Sequence, residues 1–377
     1  MSLLAGLRYL EYEVPKDFGK NLNIGEAEAR LLWCGLSADT RSNYRTAIRS
    51  YEFCCRAKAF TPWPATTKSL ANWISIRAFP EAGAGPQLRP GTLRSYLSAL
   101  RFYHVDRQMP IDVFEKNEYL DRLIRGAERS FPWQKATRKP ITKDILDEIL
   151  TPYADSSSID DININAAFAL AHGGFMRMGE FTYKDQPDDI TAARGLTRDD
   201  LIFAEDDSFV KIRLKQSKAD RHFEGVTILV AASPTNCPVK LLRRLLEKDP
   251  TQPGRAGSQP LFRLTTGRFS FDAVSKILRA RLATAGRVEK DFSGHSFRKG
   301  AATDAINNGL QEWEVQLLGR WKGDSVKLYY KMDPNRIYAL SFQHQRGYAP
   351  AFTSEPPKQP RSAQTPLRPK RSFLAVS

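Results

Sequence analysis

Apolar side chains in the first third of the chain recur at the spacing of one helix face. The clearest set stands at i, i+4, i+7 and i+11, and consists of Tyr44, Ile48, Tyr51 and Cys55. Ser37 or Asp39 precedes this helix as its cap. Comparable patterns predict helices around 67–77 and from Thr92 onward. His104 ends the apolar face of the last of these, so we expect it to be a core or boundary histidine.

The second half of the chain mixes helical and strand-like patterns. A long apolar segment at 163–181 predicts a buried helix. Strand-like runs follow at 200–204, 209–215 and 225–231, and the middle run alternates apolar with basic side chains, as a strand with one wet face does. The expected fold class is therefore mainly α with a small antiparallel β-sheet (α+β).

Shifts in composition divide the chain. A basic segment with prolines near both ends predicts a linker, and Thr142 caps the helix that follows it. The last residues are rich in Pro, Ser, Gln and basic side chains, which is typical of disorder. The resulting division is an N-terminal extension without an assigned role (1–36), a helical domain (37–130), a linker (131–140), a second domain (141–349) and a disordered basic tail (350–377).

The charge balance indicates a polyanionic partner. The 377 residues contain 57 Lys and Arg against 42 Asp and Glu, a formal net charge of +15. Nucleic acid is favoured over a membrane, because no run approaches the roughly 20 apolar residues that a membrane span needs. The chain lacks a signal-peptide pattern at its start, and its four cysteines show no Cys-x-x-Cys spacing. We therefore expect reduced thiols in a protein that is not secreted.

Candidate chemistry is concentrated in two adjacent segments, 292–303 and 317–331. His295 and Arg298 are three residues apart, so on a helix they lie on one face. A tryptophan and two adjacent tyrosines follow. A histidine, a fixed cation, an indole N–H and a phenol within forty residues indicate phosphoryl transfer onto a tyrosine oxygen.

These motifs resemble the C-terminal signature of the tyrosine recombinase (phage integrase) family: His-x-x-Arg, then Gly-Arg-Trp, then Tyr. The motif Gly-His-Ser-Phe-Arg-x-Gly-Ala-Ala resembles the one in recombinases of DIRS-type and related eukaryotic mobile elements. In those proteins Tyr follows Trp by eight residues. That spacing implies Tyr329 as the nucleophile, whereas the spacing of bacterial and phage members gives Tyr330. We favour Tyr329, because the segment then aligns without a gap.

The resemblance assigns further site residues. Arg177 and Glu180 match the family's first arginine box, Gly-x-x-Arg-x-x-Glu, with Glu180 orienting Arg177 or His295. Lys218, between the second and third strand-like runs, matches the catalytic lysine, and Lys215 is the competing candidate. The implied catalytic set is Arg177, Lys218, His295, Arg298, Trp321 and Tyr329. It requires no cofactor and no metal, and none of the five histidines has metal-ligand spacing to another His or Cys.

The resemblance also implies a SAM-like, DNA-gripping core-binding domain at 37–130 and a tyrosine recombinase catalytic domain at 141–349. Basic side chains opposite the apolar helix faces are candidate phosphate contacts, although such stripes are often simply solvated: Arg41, Arg45, Arg49, Arg94 and Arg101. The implied partners are double-stranded DNA and three further copies of the chain on paired sites. The implied location is the nucleus for a eukaryotic mobile element, and otherwise the cytoplasm.

The predicted function is site-specific DNA recombination through a 3′-phosphotyrosyl intermediate, serving the integration or excision of a mobile element. Two alternatives use the same fold. One is a domesticated DNA-binding protein that no longer cuts, and the other is type IB topoisomerase-like relaxation of a single duplex. A two-metal nuclease fits less well, because the acidic pairs of the chain are placed like helix caps and turns.

Overall fold

The computed structural model describes residues 14–81, 85–130, 138–184, 194–215, 225–251, 253–254, 257–321 and 323–328. The chain divides into two compact units, Met1–Thr137 and Arg138–Ser377. The division falls within 131–140, the segment expected to be a linker. No helix among the described residues combines the length and apolar character needed to span a membrane.

The first unit is helical throughout its described part. Its helices are α1 (Lys16–Leu22), α2 (Glu26–Cys34), α3 (Ala38–Ala57), α4 (Thr67–Ala78), α5 (Pro90–Asp106) and α6 (Glu118–Ser130). Ser37 caps α3, because its side chain accepts a hydrogen bond from the amide of Thr40. The apolar stripe of α3 faces the core, where Tyr51 and Cys55 are buried with Trp73 of α4. The two short helices α1 and α2 lie in the part that had no assigned role.

His104 of α5 is a core residue, as expected, and it is fully buried. The amide of Ala65 donates to its Nε2 at 3.0 Å, and its Nδ1 lies 2.6 Å from the carbonyl oxygen of Pro110. One ring nitrogen must therefore accept while the other donates, which is the pattern of a neutral imidazole. The ring joins α5 to the segments before α4 and after α5.

The second unit packs helices around a small sheet. Its helices are α7 (Lys143–Leu150), α8 (Ile159–Gly173), α9 (Met178–Phe181), α10 (Pro238–Lys248), α11 (Phe271–Thr284), α12 (Ser296–Asn307) and α13 (Glu312–Gly319). The strands β1 (Leu201–Phe203), β2 (Phe209–Leu214) and β3 (Val226–Ala231) form an antiparallel sheet in the order β1-β2-β3. The expected mainly helical fold with a small antiparallel sheet is confirmed.

The sheet and α8 supply much of the second core. Val210, Ile212 and Leu214 of β2 are buried, while the basic residues between them are exposed, as the alternation predicted. Helix α8 is apolar around most of its surface, and ten consecutive residues from Ile162 to Ala171 are buried. Such a helix must lie inside the unit. It is the scaffold from which the first arginine box projects.

Thr142 occupies the N-cap position of α7, but its side chain makes no capping hydrogen bond. Instead the carboxylate of Asp304 in α12 accepts from the amide of Lys143 at 2.7 Å. The same carboxylate oxygen lies 3.0 Å from Nε2 of His172 in α8. The Asp304 side chain thus links the start of α7 to the ends of α8 and α12. These contacts join distant segments, so the local sequence could not reveal them.

Candidate active site

The segment 163–181 is not one continuous helix. Helix α8 ends at Gly173, and Phe175 takes a left-handed backbone conformation with φ of 50°. A Cβ on Gly173 would lie 2.8 Å from Cγ1 of Val230 in β3, and one on Gly174 would lie 3.0 Å from Cδ1 of Ile228. The glycine pair therefore lets the helix end directly against the sheet. The break turns the chain so that α9 starts in a new direction, with Arg177 at its N-cap.

Glu180 binds Arg177 at the start of α9 through two hydrogen bonds. The carboxylate of Glu180 accepts from the backbone amide of Arg177 at 2.9 Å and from its Nη1 at 2.8 Å. The Glu180 side chain is 5% exposed, whereas that of Arg177 is 20% exposed. The carboxylate is thus fixed inside the unit, while the guanidinium it holds still reaches the surface. Arg177 thus combines a fixed carboxylate partner with partial exposure to solvent.

Arg298 lies in the first turn of α12 and is fully buried. Its Nη1 donates to the carbonyl of Phe175 at 2.6 Å, and its Nη2 donates to the carbonyl of Gly319. A buried guanidinium needs such acceptors, because desolvating a charge is unfavourable unless hydrogen bonds replace water. The two carbonyls bring together the first arginine box, the His-x-x-Arg segment and the Gly-Arg-Trp segment.

Trp321 lies against the same cation. The guanidinium carbon of Arg298 is 4.0 Å from the centre of the indole ring, and the ring of Phe175 meets the indole edge-on at 6.3 Å. Gly319 makes this approach feasible, because a Cβ there would lie 1.6 Å from Cζ3 of Trp321. The sequence predicted Trp321 as a site residue, and the structure places its ring over Arg298.

His295 immediately precedes α12, at its N-cap position, and is exposed. It therefore lies one turn before Arg298 on the same segment, as its three-residue spacing suggested. The remaining predicted residues, Lys218, Tyr329 and the alternative nucleophile Tyr330, lie outside the described residues. The structure therefore brings together Arg177, Glu180, Arg298 and Trp321, and His295 is exposed one turn before Arg298.

Lys215, the competing lysine candidate, follows β2 directly. Its Nζ lies 2.8 Å from Oδ2 of Asp200 and 2.9 Å from Oγ1 of Thr197. The Asp200 side chain is only 4% exposed, so this is a well-shielded ion pair. Such an ion pair holds β2 to the turn before β1. Lys215 therefore has a structural ion pair, and the choice between Lys215 and Lys218 stays a prediction.

Sequence reasoning missed Arg320, which enters the same cluster. Its Nη2 donates to Oε2 of Glu180 at 3.0 Å and lies 3.3 Å from the carbonyl oxygen of Phe175. Burial lowers the pKa of its guanidinium, and the charge of Arg177 acts in the same direction while Glu180 opposes both. The only sequence signal was its place between the glycine and the tryptophan of the Gly-Arg-Trp motif.

The candidate DNA contacts of the first unit have different environments. Arg45 and Arg49 are exposed and make no ion pair with any described residue. Arg94 and Arg101 form exposed ion pairs with Glu128 and Glu115. Such pairs are weak and can be exchanged for a phosphate.

Arg41 differs from the expected open basic stripe. Its side chain is 10% exposed, and its Nη1 is paired with Asp106 at 2.8 Å. Its Nε and Nη2 donate to the carbonyls of Trp33 and Leu32, and its guanidinium lies 4.3 Å from the Trp33 ring centre. Arg41 thus joins α2, α3 and α5. The equal spacing of Arg41, Arg45 and Arg49 gave no sign of this, because the partners come from distant segments.

Comparisons with known proteins agree with this geometry. No family model matches the chain. An integrase/recombinase XerD homolog from Selenomonas ruminantium is 22% identical over 285 residues, covering 72% of this chain and 75% of that protein. A crystal structure of the XerH site-specific recombinase bound to palindromic difH substrate, a post-cleavage complex, superposes with a TM-score of 0.57 at 14% identity, covering 91% of this chain and 93% of that one.

A pre-cleavage XerH complex with difH substrate gives a TM-score of 0.50 at 12% identity, covering 90% of this chain and 94% of that one. The fold is therefore that of the tyrosine recombinases. The similarity in sequence to the XerD homolog, over most of both chains, supports placing the chain in the tyrosine recombinase/integrase family. The fold thus agrees with the family that the sequence motifs resemble.

Proposed function

We propose that the protein is a site-specific DNA recombinase that cleaves and rejoins strands through a 3′-phosphotyrosyl intermediate. The observation that carries the proposal is the convergence of three separate motifs on Arg298. Its guanidinium binds the carbonyls of Phe175 and Gly319 and lies under the ring of Trp321. Phe175 belongs to the arginine box of Arg177, and Gly319 and Trp321 belong to the motif that precedes Tyr329.

In this mechanism the tyrosine oxygen attacks the scissile phosphorus while the 5′-oxygen of the next nucleotide leaves. Arg177, which is partly exposed, and Arg298 stabilise the non-bridging oxygens, which carry extra negative charge in the transition state. Arg298 is fully buried in the unbound structure, so its contact requires that Nη1 or Nη2 leave its backbone carbonyl when DNA binds. At 4 Å and an effective dielectric constant near 20, each such contact contributes at most about 4 kcal/mol. Two contacts together correspond to at most about a millionfold in rate before solvent screening. The Glu180 carboxylate holds Arg177 ready for this role.

Proton transfer needs separate groups. An ordinary tyrosine has a pKa near 10, so only about one phenol in a thousand is ionised at neutral pH. His295 helps to accept the proton of Tyr329, and Lys218 donates a proton to the departing 5′-oxygen. We assign the indole N–H of Trp321 to the phosphate, which requires that this nitrogen, buried in the unbound structure, become accessible when DNA binds. The new phosphotyrosyl bond retains the energy of the phosphodiester, so a 5′-hydroxyl can reverse the step on the same strand or another strand without ATP.

The residues of the motifs support a more specific proposal about the type of recombinase. Gly-His-Ser-Phe-Arg, Leu-Gly-Arg-Trp and the eight-residue step to Tyr329 favour a recombinase of a DIRS-type or related mobile element, acting in the nucleus of a eukaryotic host. Four arginines of the first unit are the side chains that we expect to contact DNA phosphates: Arg45, Arg49, Arg94 and Arg101. We further propose that four protomers act together on two paired sites.

The test is a nicked suicide substrate, which traps the covalent intermediate because the cleaved fragment diffuses away. The protein should form a DNA adduct that survives denaturation, in a buffer that contains a chelator. Tyr329→Phe should abolish the adduct, while Tyr330→Phe and the control Tyr119→Phe, an exposed tyrosine of the first unit, should retain it. If only Tyr330→Phe lost the adduct, Tyr330 would be the nucleophile instead of Tyr329.

Candidate sites can be supplied as a library of nicked duplexes. Binding to DNA without any adduct on the whole library would favour the non-cleaving alternative. Relaxation of a supercoiled plasmid without exchange between two duplexes would favour topoisomerase-like activity. Loss of the adduct in the presence of the chelator would show that the reaction needs a metal ion, and would contradict stabilisation of the transition state by arginines alone.

A further inference from the structure

Arg320 ends a helix and is largely buried in the cluster around Glu180. It ends α13 in a left-handed conformation, with φ of 59° and ψ of 40°. A residue with a Cβ is strained in that region, and such strain persists only where the surroundings fix it. The Arg320 side chain is 15% exposed, although most arginines lie largely in water. The low exposure of this charged side chain indicates that its contacts inside the unit replace its hydration.

The contacts of Arg320 lead to both proposed phosphate-binding arginines. Its Nη2 reaches Oε2 of Glu180 at 3.0 Å, and the other oxygen of that carboxylate holds Nη1 of Arg177. The same Nη2 lies 3.3 Å from the carbonyl oxygen of Phe175, to which Arg298 also donates. Glu180 and the Phe175 carbonyl are thus each shared between Arg320 and one of the other two arginines.

Charge explains why the sharing matters. Glu180 is the carboxylate that pairs with both Arg177 and Arg320 in the described part of the chain. A carboxylate bound to one guanidinium alone neutralises it, whereas a carboxylate divided between two guanidiniums leaves net positive charge beside it. The Nε and Nη1 atoms of Arg320 are buried and have no hydrogen-bond partner among the described residues. The cluster therefore retains positive charge that an anion can neutralise.

We propose that Arg320 is a positioning residue that, through Glu180 and the Phe175 carbonyl, fixes the placement of Arg177 and Arg298 for the scissile phosphate. This inference rests on the proposed function. It goes beyond that function by assigning a third arginine, which does not itself touch the DNA. Arg320 divides the charge of Glu180, so that Arg177 stays available to an external anion instead of being drawn fully onto the carboxylate.

The experiment is single-turnover cleavage of the suicide substrate by Arg320→Met, alone and combined with Glu180→Gln. Loss of a group that orients a catalytic side chain lowers activity about 10- to 100-fold, and we expect this loss in Arg320→Met with little change in DNA affinity. Arg320→Lys should recover part of the rate, since it keeps the charge but not the fork. In the Glu180→Gln background, Arg320→Met should cause a smaller further loss than in the wild type, because the shorter of its two contacts is the one to Glu180.

Arg244→Met is the matched control. Arg244 is also half-buried and donates to backbone carbonyls, those of Ala154 and Ser156, but it contacts none of the cluster. It should cleave at the wild-type rate. A wild-type rate in Arg320→Met would overturn the proposal. Losses that multiply fully in the double variant would also overturn it, since they would mean that Arg320 acts independently of Glu180.

A second measurement does not depend on cleavage. In protein with isotope-labelled arginine side chains, the Nε–H signal of Arg177 is assigned by its disappearance in Arg177→Lys. That signal should shift in Arg320→Met and stay in place in Arg244→Met. An unmoved signal would contradict the positioning role. Absence of any adduct with the wild-type protein would contradict the proposed recombinase function instead, so the two failures are distinguishable.

Discussion

The guanidinium of fully buried Arg298 lies 4.0 Å from the ring centre of Trp321. Two carbonyls, those of Phe175 and Gly319, accept its hydrogen bonds in the same place. Because the indole face carries negative electrostatic potential, it stabilises a cation that has been removed from water. The tryptophan therefore supports the charge of Arg298 in addition to any hydrogen bond that its N–H makes to a phosphate.

Replacing Trp321 by alanine should slow formation of the covalent DNA adduct. A desolvated cation–π contact contributes about 2 kcal/mol, which corresponds to about a 30-fold change in rate. Trp321→Phe keeps an aromatic face but no N–H, so it should fall between the wild type and Trp321→Ala. Rapid-quench single-turnover kinetics on a nicked substrate measure the three rates. Equal rates for the phenylalanine and alanine variants would show that the ring face contributes nothing.

Gly319→Ala should disturb the same contact by a steric route. Its Cβ would be placed 1.6 Å from Cζ3 of Trp321, so the indole must leave its position over Arg298. We expect a loss of cleavage at least as large as that of Trp321→Ala. Gly323→Ala is the control, because a Cβ at that position meets no described atom within 4 Å. Cleavage by Gly319→Ala at the rate of the control would contradict this packing.

Gly300→Ala should instead destabilise the second unit as a whole. Gly300 lies inside α12, and a Cβ there would lie 1.6 Å from the backbone carbonyl oxygen of Ile141. Backbone cannot move aside as a side-chain end can, and overpacking of this kind lowers stability by about 1–3 kcal/mol or more. Chemical denaturation followed by circular dichroism measures the change. Unfolding of Gly300→Ala at the wild-type midpoint would show that the close approach of α12 to Ile141 is absent.

Features that depend on local pattern were predictable from the sequence. The alternation of β2 follows from spacing and residue type alone, whereas the sequence left the cap of α3 between Ser37 and Asp39 and gave His104 as a core or boundary residue. The motifs also identified Arg177, Glu180, Arg298 and Trp321, which the structure brings together. Features that depend on distant partners were not predictable. Arg41 pairs with Asp106, and the left-handed turn at Phe175 is set where the chain meets the sheet.

Arg320 illustrates why part of the site was hidden. It stands in a recognised motif, yet its chemistry is set by Glu180 and Phe175, which lie far away in sequence. A motif gives the order of residues along the chain, whereas hydrogen-bond partners depend on how the segments pack. Sequence reasoning therefore assigned roles to the neighbours of Arg320 and left the residue itself without one.

Arg41 and Arg45 should respond differently to truncation. Arg45→Ala removes an exposed cation, so DNA binding should weaken about equally for all sequences, and the slope of log affinity against log salt should flatten by about one unit. Arg41→Ala removes a buried cation from Asp106 and two carbonyls, and should lower the stability of the first unit by about 3 kcal/mol. Fluorescence anisotropy over a salt series and chemical denaturation measure the two effects. If Arg41→Ala changed the salt slope and Arg45→Ala did not, Arg41 would be a phosphate contact on an exposed basic face, and the prediction would be wrong.

The first unit should lose stability in mild acid because of His104. Burial lowers the pKa of this imidazole, against smaller opposing effects of the Pro110 carbonyl and of Asp112. The folded state therefore binds fewer protons than the unfolded state, in which the pKa is about 6.5. The stabilising contribution is complete above about pH 6.5 and declines as the pH falls from there toward the folded-state pKa.

The structural reason is that Nε2 accepts a hydrogen bond from the amide of Ala65, and a proton on Nε2 would face that N–H. Hydrogen exchange at Ala65, measured between pH 7 and pH 5 and corrected for intrinsic exchange, should show falling protection. The non-titrating variant His104→Gln should lack this additional dependence. If wild type and His104→Gln have parallel profiles, another group controls the acid sensitivity, and the neutral imidazole is not what holds Ala65 to Pro110.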